Sequence, residues 1–162
     1  MDAHPKNEPH DRSPSRVFAG LAPVSSTYAT MPIIAGFTWA EIAGNVDPGE
    51  WYLVAFRSVL RETADDVRLD EQDDLALAEA RLAPGFVHYF QGAANEQREC
   101  LSFCIWQSRD QAQAAARLPA HEEAIGLADE MYESYVLEYH TLKKRPGSAG
   151  FEFDSLGSRS VR

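Results

Sequence analysis

Three side chains have the chemistry needed to move a proton or to hold an anion. His121, in LPAHEEA, is a candidate general base that Pro119 would aim into a cavity, because histidine side chains ordinarily exchange protons near neutral pH; the alternative is an exposed or helix-capping histidine. His88, in FVHYF, is a second candidate base, or else a buried neutral imidazole bonded to a backbone carbonyl. Arg57 lies inside a β-rich run, where it could hold a phenolate or carboxylate, pair with Glu138, or do both.

The histidines and cysteines do not have the spacing of a metal site. His88, His121 and His140 show neither HxH nor HxxxH spacing, and Cys100 and Cys104 form no CxxC pair. On one strand the two cysteines would lie about 13 Å apart, which is too far for a disulfide. We therefore expect no metal and two reduced thiols.

Hydrophobic periodicity predicts an α+β fold with the ferredoxin-like order β-α-β-β-α-β over residues 50–144. The first helix carries an apolar stripe of Leu75, Ala78 and Leu82 behind a charged start, RLDEQDD, that is expected to be solvated. The second helix begins at the capping box SRDQ, is rich in alanine and is interrupted by Pro119. The strands are predicted in WYLVAFRSVL, GFVHYFQG, QRECLSFCIW and YESYVLEYHTLKK.

Strand alternation predicts which side chains share the sheet face that the helices leave open. The wholly apolar set of Leu101, Phe103 and Ile105 is assigned to the face beneath the helices. The other face is too apolar to meet water yet carries polar groups, so we expect a second copy of the chain to cover it and enclose a cavity. The alternative is that the tryptophan on this face is only core filler. The residues assigned to this face are Arg57, Cys104, Trp106, Glu138 and His140, joined by His88 or Tyr89.

The segments outside the predicted sheet differ in character. Residues 1–16 and 145–162 are polar and lack a hydrophobic period, which predicts a disordered N-terminal tail and a flexible C-terminal tail. Residues 17–49 are more apolar and are expected to lie on the domain, with Phe37 and Trp39 as anchors. Within them, TWAE has the pattern of a capping box that opens a short helix.

The charge balance limits the kinds of partner. A formal charge of -10 and a pI near 4.9 disfavour nucleic acid and anionic membrane surfaces, which would repel the protein. The chain has no apolar run of the length of a membrane span, and its start lacks the apolar centre of a secretory signal. We therefore expect a cytoplasmic protein.

The segment CIWQSRDQAQAAARLPAH, within this order of elements, resembles the antibiotic biosynthesis monooxygenase family of the dimeric α+β barrel superfamily. In that family a third strand ends in a tryptophan, enters an alanine-bearing helix and reaches a histidine. The resemblance covers residues 50–144. It implies a homodimer whose barrel cavity oxygenates an aromatic, polyketide-like small molecule without a cofactor.

The resemblance implies roles for named residues and leaves two alternative functions open. The catalytic candidates are His88, His121 and Arg57, and the substrate-binding candidates are Trp106, Tyr89, Cys104, His140 and Glu138. The alternatives are a non-catalytic barrel that binds a small ligand and a haem-binding or haem-degrading protein. Of the haem-degrading pattern only His121 matches, because Phe56 or Arg57 stands in place of an asparagine and Ala115 in place of a tryptophan.

Overall fold

Residues 11–162 of the computed structural model are described, and they form one α+β unit built on a five-stranded antiparallel sheet. The strand order is β2-β3-β1-β4-β5, and the first four strands confirm the predicted ferredoxin-like order. β1 is central and pairs with both β3 and β4 along nearly its whole length. The strands are β1 (Gly49–Leu60), β2 (Phe86–Phe90), β3 (Glu99–Trp106), β4 (Tyr132–Lys144) and β5 (Glu152–Ser160).

Two groups of helices flank the sheet. On one face lie α4 (Asp66–Leu82), α5 (Arg109–Ala115), α6 (Pro119–Gly126) and α7 (Ala128–Met131). The predicted helix start at Ser108 is confirmed, since its Oγ accepts a hydrogen bond from the amide of Gln111 at 3.3 Å; the Gln111 side chain meets the Ser108 hydroxyl at 3.0 Å. The break at Pro119 is also confirmed, since α6 begins at this residue. Proline is tolerated there because the first turn of a helix does not need its amide hydrogen. None of the helices within residues 11–162 is long and apolar enough to cross a bilayer.

Residues 14–46, which we call the strap, cover the other face of the sheet. The strap contains α1 (Pro14–Phe18), α2 (Ile33–Gly36), α3 (Trp39–Ile42) and the 3-10 turns Tyr28–Thr30 and Ala43–Asn45. Phe37 and Trp39 are buried, as predicted for anchors. The predicted side-chain cap at Thr38 is wrong, because its hydroxyl instead accepts a hydrogen bond from the amide of Ala22 at 3.0 Å.

The assignment of the two sheet faces is the main correction to the sequence prediction. Leu101, Phe103 and Ile105 are fully buried beneath the strap and not beneath the helices. The indole of Trp106 lies on the opposite face, packed against alanines of α4 and α5. The error arose because the larger apolar set was assumed to meet the helices. In the structure that set forms a solid core with the aromatic strap, so the chain itself covers the face expected to meet a second copy.

The C-terminal segment also differs from its prediction. Residues 145–162 were expected to be a flexible tail, but Glu152–Ser160 form β5 along the edge of β4. The reason lies in the alternation of FEF, which puts Phe151 and Phe153 against the strap. Their ring centroids lie 5.7 Å from Phe18 and 4.9 Å from Trp39, respectively. The predicted N-terminal tail lies partly outside the described residues; its last part, from Pro14, begins α1.

Arg57 joins the strap to the sheet. Its guanidinium donates to the carbonyl oxygens of Ala29 (2.6 Å) and Met31 (3.0 Å) in the strap and to both carboxylate oxygens of Glu138 on β4 (2.6 and 3.3 Å). The predicted ion pair with Glu138 is therefore present. His140 completes this polar group, with its Nε2 3.8 Å from Glu138 Oε2.

This cluster predicts an acid-sensitive contribution to stability. The imidazole of His140 and the guanidinium of Arg57 lower the pKa of Glu138 to about 2, against the opposing effect of burial. Because the folded-state pKa lies below that of the unfolded chain, the contribution is present above about pH 4.5 and is lost as the pH falls toward 2. Thermal unfolding followed from pH 6 to 2.5 should show a smaller acid-dependent loss in Glu138→Gln than in the wild type. Equal losses in the two proteins would contradict the assignment.

Candidate active site between the sheet and the helices

A cavity of about 510 Å³ lies between the sheet and its covering helices. It is within the range of small-molecule sites. Helices α4 and α5 present small side chains to it, namely Ala76, Ala80, Ala112 and Ala115, which leave room above the sheet. The cavity therefore lies within one chain, whereas the sequence predicted a hollow shared by two copies.

The floor of the cavity is aromatic. Trp106 is only 2% exposed, and its indole N–H donates to the sulfur of Cys104 at 3.0 Å. The ring of Phe86 meets the indole edge to face at 5.5 Å. Such a floor can stack against a flat ring, because buried aromatic faces favour stacked and edge-on partners. The other aromatic side chains that line the cavity are Tyr52, Phe56, Tyr89, Tyr132, Tyr135 and Tyr139.

Helix α4 faces the cavity with a different stripe from the predicted one. Leu75 and Leu82 are 58% and 89% exposed, so they point to solvent. The inward face carries Gln72, Ala76 and Ala80, which are buried, together with Asp73. Both stripes have helical spacing, and the predicted stripe contains the larger apolar residues. That choice is wrong because a helix above a cavity packs its small residues inward.

Asp73 is the functional candidate that the sequence analysis missed. The hydroxyl of Tyr89 donates to both of its carboxylate oxygens, at 2.9 and 3.0 Å. Burial raises the pKa of Asp73, and the nearby carboxylates of Asp74 and Asp70 add to the rise, while the hydrogen bond from Tyr89 opposes it. Its segment was interpreted as a solvated helix start. The sequence did contain one signal for it: Asp73 precedes Ala76 by three residues and Ala80 by seven, so the three share one face of the helix.

His121 lies at the start of α6 and is oriented by Glu79 of α4. Its Nδ1 is 2.9 Å from Glu79 Oε1, and the same carboxylate accepts the amides of Ala120 (3.1 Å) and His121 (3.2 Å). Because a carboxylate only accepts, Nδ1 carries the hydrogen and Nε2 is the ring nitrogen free to accept a proton. This geometry is compatible with the predicted general base, whereas the alternative of an exposed or helix-capping histidine is not met, because the side chain is 24% exposed and α6 has no side-chain cap.

The phenols around Asp73 act as hydrogen-bond donors. Burial raises the pKa of Tyr132 to about 12, with Cys100 and Asp73 adding to the rise. The pKa values of Tyr89 and Tyr135 are also raised, mainly by burial. These groups stay protonated near neutral pH and can donate to an oxyanion in the cavity.

The predicted site residues do not form one cluster. Trp106, Tyr89, Cys104 and His121 line the cavity beneath the helices. Arg57, Glu138 and His140 line a groove of about 720 Å³ on the opposite face, beside the strap.

His88 also lies on the strap side, with its ring centroid 6.2 Å from that of Phe103, and burial lowers its pKa. The predicted site residues therefore lie on two opposite faces of the sheet, because successive residues of a strand point to opposite faces.

The side chains among the described residues that could bind a metal ion are not clustered. Within residues 11–162, no three or more His, Cys, Asp or Glu side chains are grouped as ligands for a metal ion. The cavity does combine a carboxylate, an imidazole, several phenols and aromatic stacking surfaces. This set can bind a flat molecule, accept a proton from it and donate hydrogen bonds to the resulting anion.

Comparisons with known proteins agree with the fold. The sequence model of the family described as PB2B2.08-like matches residues 4–155. No curated protein matches the chain. Similar solved structures include SnoaB, a cofactor-independent oxygenase from Streptomyces nogalater, with 14% identity over 60% of this chain and 95% of that chain and a TM-score of 0.45.

Two further structures are similar to a comparable extent. A putative antibiotic biosynthesis monooxygenase from Chloroflexus aurantiacus has 17% identity over 60% of this chain and 96% of that chain, with a TM-score of 0.44. A dimeric ferredoxin-like protein of unknown function from Thermobifida fusca has 19% identity over 56% and 90%, with a TM-score of 0.45. One of these structures is named for the family that the sequence resembles, and at these identities and TM-scores the likeness carries no argument about the role of this chain.

Proposed function

Because this chain belongs to the PB2B2.08-like family and encloses an aromatic cavity within a ferredoxin-like fold, we propose that it oxygenates a small aromatic molecule without a cofactor. The substrate is an electron-rich phenol of the size of a naphthol or an anthrone. It lies in the cavity beside Trp106, with its hydroxyl group toward Asp73.

The observation that supports this proposal is the half-buried carboxylate of Asp73, which accepts hydrogen bonds from Tyr89 and lines the cavity. A carboxylate with a raised pKa is a better proton acceptor than a solvated one, since a catalytic base works best when its pKa approaches the working pH. A phenolate formed beside Asp73 can accept hydrogen bonds from the protonated phenols of Tyr132 and Tyr135.

The proposed reaction balances without an added reductant. Asp73 removes the proton of the substrate hydroxyl, and the phenolate transfers one electron to dioxygen. The resulting superoxide and substrate radical combine to form a carbon–oxygen bond, giving a hydroperoxide after protonation. Loss of water from the hydroperoxide leaves a quinone. For a naphthol the sum is one naphthol and one dioxygen giving one naphthoquinone and one water. His121, with Nε2 free, delivers or accepts the proton during loss of water.

The roles of the other candidates follow from their faces. Trp106, Tyr89 and Cys104 are assigned to substrate binding. Arg57, Glu138, His140 and His88 are assigned to holding the strap face. A homodimer and a cytoplasmic location, in which the free thiols stay reduced, remain part of the proposal. A homodimer has to form through a surface other than the sheet face that the strap covers.

Haem binding is not proposed. Of the three positions of the haem-degrading pattern only His121 matches, and its Nδ1 is held by Glu79. Ala115 stands where that pattern has a tryptophan, and it lines the cavity.

A dioxygen electrode tests the proposed reaction directly. Purified protein incubated with a panel of naphthols and anthrones should consume one dioxygen per quinone formed, with the quinone followed by its absorbance. Isothermal titration with the same compounds measures binding separately. Stoichiometric binding without dioxygen uptake across the panel would contradict the reaction and support the non-catalytic ligand-binding alternative.

A further inference from the structure

Three arginines without ion-pair partners line the candidate active site. Among residues 11–162, five arginines make no ion pair with another described side chain: Arg61, Arg81, Arg109, Arg117 and Arg159. The last three of them line the cavity beneath the helices. They come from α5, from the α5–α6 connection and from β5, so three separate segments bring positive charge to the lining of one cavity.

This local charge opposes the charge of the whole protein. The chain carries a formal charge of -10, and most of its other described cations are paired with carboxylates. Asp73 is the one Asp or Glu among the described residues that line the cavity. An acidic protein repels anions at long range, so capture of an anionic ligand requires unpaired cations at the binding site. Arginine is suited to this task because its planar guanidinium binds a carboxylate through two parallel hydrogen bonds.

Arg109 and Asp73 affect different phenols of the cavity. Arg109 is near Tyr52, where its charge opposes the effect of burial on the pKa of that phenol. Tyr52 is directly opposite Trp106 in the sheet. The charge of Asp73 instead helps to raise the pKa values of Tyr89, Tyr132 and Tyr135. A ligand that meets both groups must carry an anion at one end and a proton to be removed at the other.

We propose that the cavity selects phenols that also carry a carboxylate, which Arg109, Arg117 and Arg159 bind while the hydroxyl group faces Asp73. The inference rests on the proposed function, because the position of the hydroxyl group at Asp73 is taken from it. It goes further by naming the substrate class, a hydroxylated aromatic acid, and the three residues that determine the specificity.

A matched pair of probes tests the inference by isothermal titration. The probes are 6-hydroxy-2-naphthoate and its methyl ester, which have the same rings and hydroxyl group but differ in charge. The naphthoate should bind about 10- to 30-fold more tightly at low salt, as expected for charge-assisted hydrogen bonds. The preference should shrink in about 0.5 M NaCl, since exposed charges are screened.

Variants separate the cavity arginines from general electrostatics. Arg109→Gln, Arg117→Gln and Arg159→Gln should each reduce the preference for the naphthoate, and the triple variant should remove it. Arg81→Gln is the control, because Arg81 is also unpaired and exposed but lies outside the cavity lining. Equal affinity for the two probes, no binding of the naphthoate, or an equal loss in Arg81→Gln would overturn the inference.

Dioxygen uptake measured on the same samples distinguishes this inference from the proposed reaction. Arginine-dependent binding of the naphthoate with no uptake for any phenol would support the charge selection and contradict the oxygenation. Uptake with neutral naphthols, without a preference for the naphthoate, would support the oxygenation and contradict the charge selection.

Discussion

Replacement of Asp73 by asparagine is expected to lower kcat for dioxygen uptake about 10²- to 10⁴-fold, the usual contribution of a general base. Asparagine keeps the shape of the side chain and can still accept the hydrogen bond from Tyr89, but it cannot take a proton. Asp74→Asn is the matched control, because Asp74 is exposed and lies outside the cavity lining. Wild-type kcat should fall on the acid side with an apparent pKa above the ordinary value for aspartate. An active Asp73→Asn enzyme would exclude Asp73 as the base.

The same variant should be more stable than the wild type at neutral pH. Burial raises the pKa of Asp73, so the folded protein disfavours the charged form that predominates at pH 7. For a carboxyl group with a raised folded-state pKa, stability is lost as the pH rises through that value. The melting temperature of Asp73→Asn should therefore exceed that of the wild type at pH 7, and the difference should shrink toward pH 3. A lower melting temperature at pH 7 would indicate that the ionised carboxylate stabilises the fold.

Replacement of Trp39 by alanine is expected to lower the free energy of unfolding by about 3–5 kcal/mol, as for other buried large aromatic residues. Trp39 is 5% exposed, and its ring lies 5.8 Å from Phe103 of the sheet and 4.9 Å from Phe153 of β5. Its indole N–H also donates to the carbonyl oxygen of Ile33 at 2.9 Å. The residue thus joins the strap, the central sheet and the added edge strand.

Urea unfolding measures this effect. Leu82→Ala serves as the control, because Leu82 is 89% exposed and its loss should change stability by less than about 0.5 kcal/mol. Trp39→Phe should lie between the two, since it keeps an aromatic ring and loses the hydrogen bond to Ile33. If Trp39→Ala were as stable as Leu82→Ala, the strap would not be part of the cooperative core.

Only some residues of the candidate site could be identified from the sequence. Trp106 and His121 were identified because a strand-ending aromatic residue and a histidine after a proline are local features. Asp73 was missed because its neighbours in the sequence are charged, and only its hydrogen bonds with Tyr89 show that its side chain faces the cavity. Arg57 was interpreted as a catalytic candidate from its position in a strand, whereas its contacts show that it holds the strap through Ala29 and Met31.

The sequence by itself determined the β-α-β-β-α-β order of residues 50–144, the start of α5 at Ser108 and the restart of the chain as α6 at Pro119. These features depend on the alternation of side chains along a strand, on capping side chains and on the missing amide of proline, all of which act within a few residues. Tertiary structure alone decided which sheet face the helices cover, and with it the location of the cavity. Alternation divides a strand into two sets of side chains, but which set meets the helices depends on packing against the strap and β5, segments tens of residues away.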